Sequence, residues 1–258
     1  LRWAIAFRSD KINSKSNSQH KLYNELAWLY DRIYPQIFSY RDTFDVIDGF
    51  LKPHGCKRIL EVACGTGRLM AIMEENGYEV TGLDLSQKML KIARKRCKGE
   101  LLMQDMRDIL IGKPFDALIC LGGSFGYMLT DEDVNKALKG FNRALRGGGI
   151  LMFDSFDADK SRQYEFGGWR EAVFEFEDMK ITRLSRLYDY IASENTWAVD
   201  WKYIIEKGDE KRMIKDQTRL RSFYQDQLTD MLKKHGFKVM NVLKDGRLIF
   251  QAKKEKDA

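Results

Sequence analysis

Proline is scarce in this chain of 258 residues. Only Pro35, Pro53 and Pro114 occur, where ordinary usage of about 5% would give roughly thirteen. A proline-rich linker and a collagen-like repeat are therefore excluded. Histidine is just as rare, with His20, His54 and His235 the whole complement. The four cysteines, Cys56, Cys64, Cys97 and Cys120, make no CxxC pair and no even framework. No His, Cys and acid cluster has metal-ligand spacing, so no metal is expected. No apolar run approaches the roughly 18–20 residues that a membrane span needs, so no membrane partner is expected. Excess charge of one sign is missing too. The 44 Lys and Arg exceed the 38 Asp and Glu by six, which permits a nucleic-acid partner without demanding one. The densest basic cluster, Arg94-Lys95-Arg96-Cys97-Lys98, ends an expected helix, where cations complement the helix dipole.

An apolar fraction of 44% with 12% aromatics can build a real core, so wholesale disorder is excluded. Cys64 and Cys120 sit inside apolar strand-like runs and read as small core residues. Reduced thiols fit an intracellular, cytoplasmic protein. Residues 1–8 are mildly apolar and basic, and Ser9 to His20 is polar. That is too short an apolar stretch for a signal peptide. Residues 1–20 are expected to form a disordered or weakly ordered extension.

From Lys21 to Phe50 the apolar residues recur at three and four, through Leu22, Leu26, Leu29 and Ile33, then Phe44, Ile47 and Phe50. Pro35 should divide this stretch into two helices. From Lys57 the rhythm becomes strand, glycine-rich turn, helix. Strands are expected at 58–63, 78–83, 101–103, 115–121 and 150–153, with helices between them. Ser86 and Thr130 are expected helix caps, and Gly147-Gly-Gly149 is expected to end the helix after Thr130. Such alternation means βαβ units and a doubly wound parallel sheet. After Phe156 the helix signals stop. Glu171 to Glu177 and Asn195 to Ile205 alternate in strand fashion, as antiparallel strands do. A helix over 225–235 and a final hairpin, 237–243 with 247–252, close the chain. The expected fold is α/β, a seven-stranded and mostly parallel sheet whose last strand is antiparallel. Residues 57–156 and 219–253 form its core, 21–56 an N-terminal helical lid, and 157–218 a small antiparallel β insertion.

The most informative segment is Ile59-Leu-Glu-Val-Ala-Cys-Gly-Thr-Gly67. It puts small residues where a strand hands over to a helix, so a ligand can approach the backbone and the helix N-terminal amides. Asp84 ends the next strand, nineteen residues past Gly65, where a carboxylate suits ribose hydroxyls. Asp105 follows the third strand. A nicotinamide-binding GxGxxG is the obvious competitor. Here its three positions hold Ala63, Gly65 and Arg68, and a long cation in place of the third glycine argues against it.

Glu-x-Ala-x-Gly-x-Gly followed by Asp84 and Asp105 in order resembles the class I S-adenosylmethionine-dependent methyltransferases. The resemblance runs from Lys57 to Ala252 and implies S-adenosylmethionine as cofactor. It implies that Ala63, Gly65 and Gly67 face the cofactor and that Glu61 orders that loop and the cofactor's amino group. Asp84 would take the ribose and Asp105 the adenine amine, Leu85 and Met106 would pack the adenine, and Leu121 would lie under the methionyl chain. Ala63 stands where many members have glycine. Strand four is followed by Gly122-Gly-Ser-Phe-Gly-Tyr-Met128, without the Asn/Asp-Pro-Pro-aromatic stretch of nucleic-acid amino-methyltransferases. The wording Ala-Cys-Gly-Thr-Gly, the tyrosine-rich N-terminal helix and the β insertion are similar to glycine N-methyltransferase and nucleotide-sugar N,N-dimethyltransferase types.

That resemblance implies methyl transfer to a small molecule, with an amine nitrogen as acceptor. Tyr23 and Arg41 become cofactor candidates, Tyr30 and Trp169 substrate candidates, and Tyr34 and Tyr127 catalytic ones, with Asp154 a further group that could orient or deprotonate a nucleophile. His54 and His235 lie away from the ligand-binding strand ends, and His20 stays open; a histidine base is not expected. The β insertion offers a surface for a homodimer. Two other functions remain open: an RNA methyltransferase, on the basic balance, and a non-catalytic cofactor-fold protein that binds through its aromatic insertion.

Overall fold

The computed structural model describes residues 20–256. The expected extension over residues 1–19 lies outside them; His20, placed with it, is buried within the fold. Helix α1 (Ala27–Ile33) ends at a short turn, Tyr34–Gln36, that carries Pro35. Helix α2 (Tyr40–Leu51) starts at Ser39, whose hydroxyl oxygen accepts from the Asp42 amide. Residues 21–26 make turns rather than helix. Leu22, Leu26, Leu29 and Ile33 are nevertheless all buried, on Phe174, Ile181, Tyr203 and Ile214 of the antiparallel strands.

Strands β1 (Arg58–Val62), β2 (Glu79–Asp84), β3 (Leu101–Met103), β4 (Phe115–Cys120) and β5 (Leu145–Asp157) are mutually parallel. Between them run α3 (Arg68–Glu75), α4 (Gln87–Ala93) and α5 (Asp131–Ala144). Short α6 (Ala158–Ser161) leads to β6 (Arg170–Phe176), β7 (Met179–Ile191), β8 (Thr196–Lys207) and β9 (Glu210–Phe223), which pair antiparallel in sequence. Helix α7 (Gln225–Lys234) precedes the hairpin of β10 (Phe237–Asp245) and β11 (Arg247–Lys254). β11 lies antiparallel on β5. Residues alternate between the two sheet faces, as period-2 strands must. Leu60, Leu118 and Leu151 join α5 and α7, while Ile59, Ile119 and Ile150 join α2 and α3.

Three boundaries differ from the sequence reading. The Gly147–Gly149 run does not end α5 but opens β5. A Cβ at Gly149 would come within 2.9 Å of the Arg146 carbonyl and 3.1 Å of the Asp116 carbonyl, so the strand needs glycine there to pack at all. The insertion continues the core sheet. Phe156 and Asp157 at the end of β5 pair with Ser222 and Phe223 of β9, and all eleven strands form one hydrogen-bonded sheet. The expected junction at 218/219 falls inside β9. Among the described residues no helix is long and apolar enough to cross a membrane, and no group of three or more His, Cys, Asp and Glu could hold a metal ion.

Candidate active site

The C-terminal ends of β1 to β4 open into a cavity of about 180 Å³. The loop after β1 shapes its floor. Ala63, Gly65 and Gly67 all take positive φ, at 57°, 55° and 74°. Glycine does this freely and alanine at a cost, so Ala63 is a strained position held by its surroundings. This winding lets the Gly65 amide donate to Asp84 Oδ2 at 2.9 Å, while the Ser86 amide donates to Oδ1 at 2.8 Å. Asp84 thus joins the ends of two neighbouring strands. Burial pushes its carboxyl above the usual range, against the amides of Ser86, Gly65 and Leu85. Gly67 does not line the cavity. A Cβ there would lie 2.5 Å from Cys97 Sγ and 2.9 Å from Ala93 Cβ, so this glycine lets α3 start against α4.

Glu61 lies beneath the loop, 6% exposed, and its Oε2 has no hydrogen-bond partner among the described residues. Burial first, then the charges of Asp84 and Glu74, raise its carboxyl to about 8. Gln104, Asp105 and Met106 line the β3 side of the cavity. Arg107 Nε bonds both oxygens of Asp105, at 3.0 and 3.1 Å, and Nη2 bonds Oδ2 at 2.6 Å. Burial opposes ionisation of Asp105, but these bonds outweigh it and hold the carboxyl below the usual range. A backbone cradle and an ionised acid two strands away line the cavity, and the orphaned Glu61 carboxyl oxygen is buried outside that lining; the set fits a ligand with an ammonium at one end and a hydroxyl-rich, amine-bearing ring at the other.

Residues 59–149 match the model of a methyltransferase domain. Those residues form a methyltransferase domain of the S-adenosylmethionine-dependent class. The chain is 29% identical to a putative methyltransferase of Bacillus subtilis (strain 168), over 91% of this chain and 98% of that one. It is 37% identical to the glycine N-methyltransferase of Rattus norvegicus, over 43% of this chain and 44% of that one. The crystal structure of the sugar N-methyltransferase KedS8 from Streptoalloteichus shares the fold, with a TM-score of 0.80 and 22% identity over 98% of this chain and 100% of that one.

The opposite wall of the cavity is aromatic. Tyr23, Tyr30, Tyr34 and Tyr127 all line it. The Tyr23 and Tyr127 hydroxyls share a hydrogen bond of 2.8 Å, and Tyr30 and Tyr34 stack with centroids 3.8 Å apart. Burial raises the phenol of each tyrosine above its ordinary range. Tyr34 and Tyr127 can therefore orient a substrate, but they hold their protons at neutral pH and are not bases. Leu85 and Leu121 also line the cavity.

Several expected site residues lie elsewhere. Arg41 is 63% exposed and pairs with Asp45, on the next turn of α2. Trp169 is 39% exposed and packs under Arg186 and Lys202. Those two belong to the strand face opposite Arg183 and Tyr203, and Tyr203 packs against α1. Trp169 therefore faces away from the cavity, a consequence of strand parity that sequence alone did not resolve. Asp154 sits behind the cavity. Its Oδ1 accepts from the Gly123 amide at 2.8 Å and its Oδ2 from Arg247 Nη1 at 2.5 Å, so it fixes the loop after β4 rather than touching a ligand.

Arg68, at the third-glycine position, has a structural task. Arg68 Nε and both Nη atoms of Arg96 bond the Asp31 carboxylate at 2.8–2.9 Å, strapping α1 to the core. The sequence reading missed Ser86 as a cavity residue. It caps α4 through Met89 and also donates from its hydroxyl to the Tyr23 carbonyl. His20 and Asn24 line the cavity too. No local motif marks His20, whose partner Asp216 lies on distant β9, and the Asn24 side-chain amide donates to the His20 carbonyl at 2.9 Å.

Proposed function

We propose that this methyltransferase acts on a small molecule at an amine nitrogen, in a pocket closed by the N-terminal segment. The observation that carries this reading is the aromatic wall. Tyr23, Tyr30, Tyr34 and Tyr127 line the same cavity as the cofactor candidates, so the acceptor side is walled by aromatic rings, a surface that suits a compact amine. The likeness to glycine and sugar N-methyltransferases supports nitrogen as the acceptor.

The β-strand ends supply the cofactor side of this reading. Asp84 would accept from the ribose hydroxyls, and Leu85 and Met106 would pack the adenine, with Asp105 and Gln104 at its edge. The unpaired oxygen of Glu61 would sit behind the methionyl ammonium, and Ala63, Gly65 and Leu121 would line the methionyl path. When bound, S-adenosylmethionine supplies a methyl group on a sulfonium, an electrophile that a neutral amine lone pair attacks in line. The chain's own task is to orient the amine and exclude water. Tyr34 and Tyr127, fully buried and protonated, would donate to polar groups of the acceptor and hold it at one angle. Residues 21–36 would act as the lid, held down by the Asp31 strap.

Calorimetry with S-adenosylhomocysteine tests the cofactor half. Binding is expected, and Asp84→Ala should weaken it by at least about tenfold, as the loss of a charged acceptor does. Affinity unchanged in the variant would refute the assignment. Release of S-adenosylhomocysteine with glycine, glucosamine and matched alcohols tests the acceptor half. Turnover confined to the alcohols would refute nitrogen.

A further inference from the structure

We infer that His20, held by Asp216, is the base that takes the proton from the acceptor amine; this rests on the amine reading above. His20 is only 6% exposed, yet it lines the cavity. Its Nδ1 lies 3.7 Å from Asp216 Oδ2, on a side chain 4% exposed. Nε2 has no hydrogen-bond partner among the described residues. The Tyr23 and Tyr127 rings meet the imidazole edge-on, with centroids 5.6 and 5.4 Å away. A nitrogen held toward a carboxylate, with the second nitrogen left for a ligand, is the arrangement of an oriented general base.

The surroundings favour this role. Asp216 on β9, Tyr23 on the same N-terminal segment and Tyr127 in the turn after β4 are the titratable groups facing the imidazole; neighbouring Lys21 extends outward to Glu25 at 3.9 Å. Burial opposes ionisation of Asp216, but bonds from His20 and from the Leu22 and Lys21 amides hold its carboxyl below the usual range. A fixed negative charge therefore stands ready to balance an imidazolium. The two tyrosines keep their protons, and the imidazole, with a nitrogen lone pair free at Nε2, is the group beside them left to accept one. Position agrees as well. β9 continues the sheet beyond β5, whereas Asp84 and Asp105 follow β2 and β3. The pair and the proposed adenosine side thus approach the cavity from opposite flanks of the sheet.

The step balances simply. The ammonium N–H bond breaks, its electron pair stays on nitrogen as the attacking lone pair, and the proton passes to Nε2. Asp216 neutralises the imidazolium, which returns the proton to solvent once product leaves.

The test uses the full chain with glycine and glucosamine as acceptors. His20→Asn should lower kcat by on the order of a hundredfold or more. Its S-adenosylhomocysteine affinity should stay within about twofold, as expected of a group on the acceptor side. Its remaining rate should keep rising with pH as free amine accumulates, where the parent levels off. Asp216→Asn should move the acid limb of kcat/KM to lower pH. His20→Gln, melted alongside the parent, must show the same loss if the Asn variant fails to fold. A kcat within about threefold of the parent, or a parallel loss of S-adenosylhomocysteine affinity, would overturn the assignment. Failure of the parent itself to bind S-adenosylhomocysteine would sink the cofactor reading instead.

Discussion

Glu61 makes a sharp prediction about protons. Its carboxyl titrates near 8 because burial and two neighbouring acids resist its charge, and one oxygen lacks a partner among the described residues. At pH 7 about nine molecules in ten then carry the proton on Glu61, and at pH 9 about one in ten. If the bound ligand's ammonium meets the ionised form, binding must expel that proton. Calorimetry of S-adenosylhomocysteine binding at pH 7, in two buffers of different ionisation enthalpy, should show about 0.9 proton released by the parent beyond Glu61→Gln. The ligand's own amine contributes equally to both, so the difference isolates Glu61. Affinity of the parent should improve about fiftyfold from pH 6 to pH 8, and that of the variant should not follow it.

The ligand-free protein gives an independent check. The folded value lies above the ordinary 4.5, so between 4.5 and 8 the native state holds more protons than the unfolded one. Stability from this group is complete below 4.5 and is lost as pH rises to 8. Glu61→Gln should flatten that decline in urea melts. Equal proton release by parent and variant would refute the argument and separate Glu61 from the ligand.

Two further predictions concern the scaffold. Asp31→Asn should cost about 1–2 kcal/mol at pH 7, since the carboxylate, 18% exposed, is bonded by both Arg68 and Arg96. Burial alone would raise this carboxyl, but the bonds hold it below its ordinary range, so the advantage must fade as pH falls through its native value; a gap that persists in strong acid by urea melts would refute the strap. Gly99→Ala places a Cβ 1.9 Å from the Val80 carbonyl in β2. A backbone oxygen in a central strand cannot retreat, so a loss of about 3 kcal/mol or more is expected, and a melting temperature within about 2 °C of the parent would contradict it.

The sequence by itself determined the frame. Period-2 apolar runs and capped helices placed β1 to β4 to within a residue and the middle of β5, because local hydrogen bonding and side-chain alternation act over short spans. The Gly65 loop and Asp84 were legible for the same reason: strand end, turn and helix start are local events. Tertiary structure alone decided what meets across the chain. Trp169 was assigned to the pocket on its chemistry, but pairing parity turned it outward. Arg41 was assigned on its charge, but α2 offers it Asp45 and open water. His20 carries no motif. It becomes a site residue only because β9 extends the sheet beyond β5 and Asp216 fixes the segment through the Lys21 and Leu22 amides. That partner lies nearly two hundred residues away, and the register between distant strands is set by packing that no local pattern encodes.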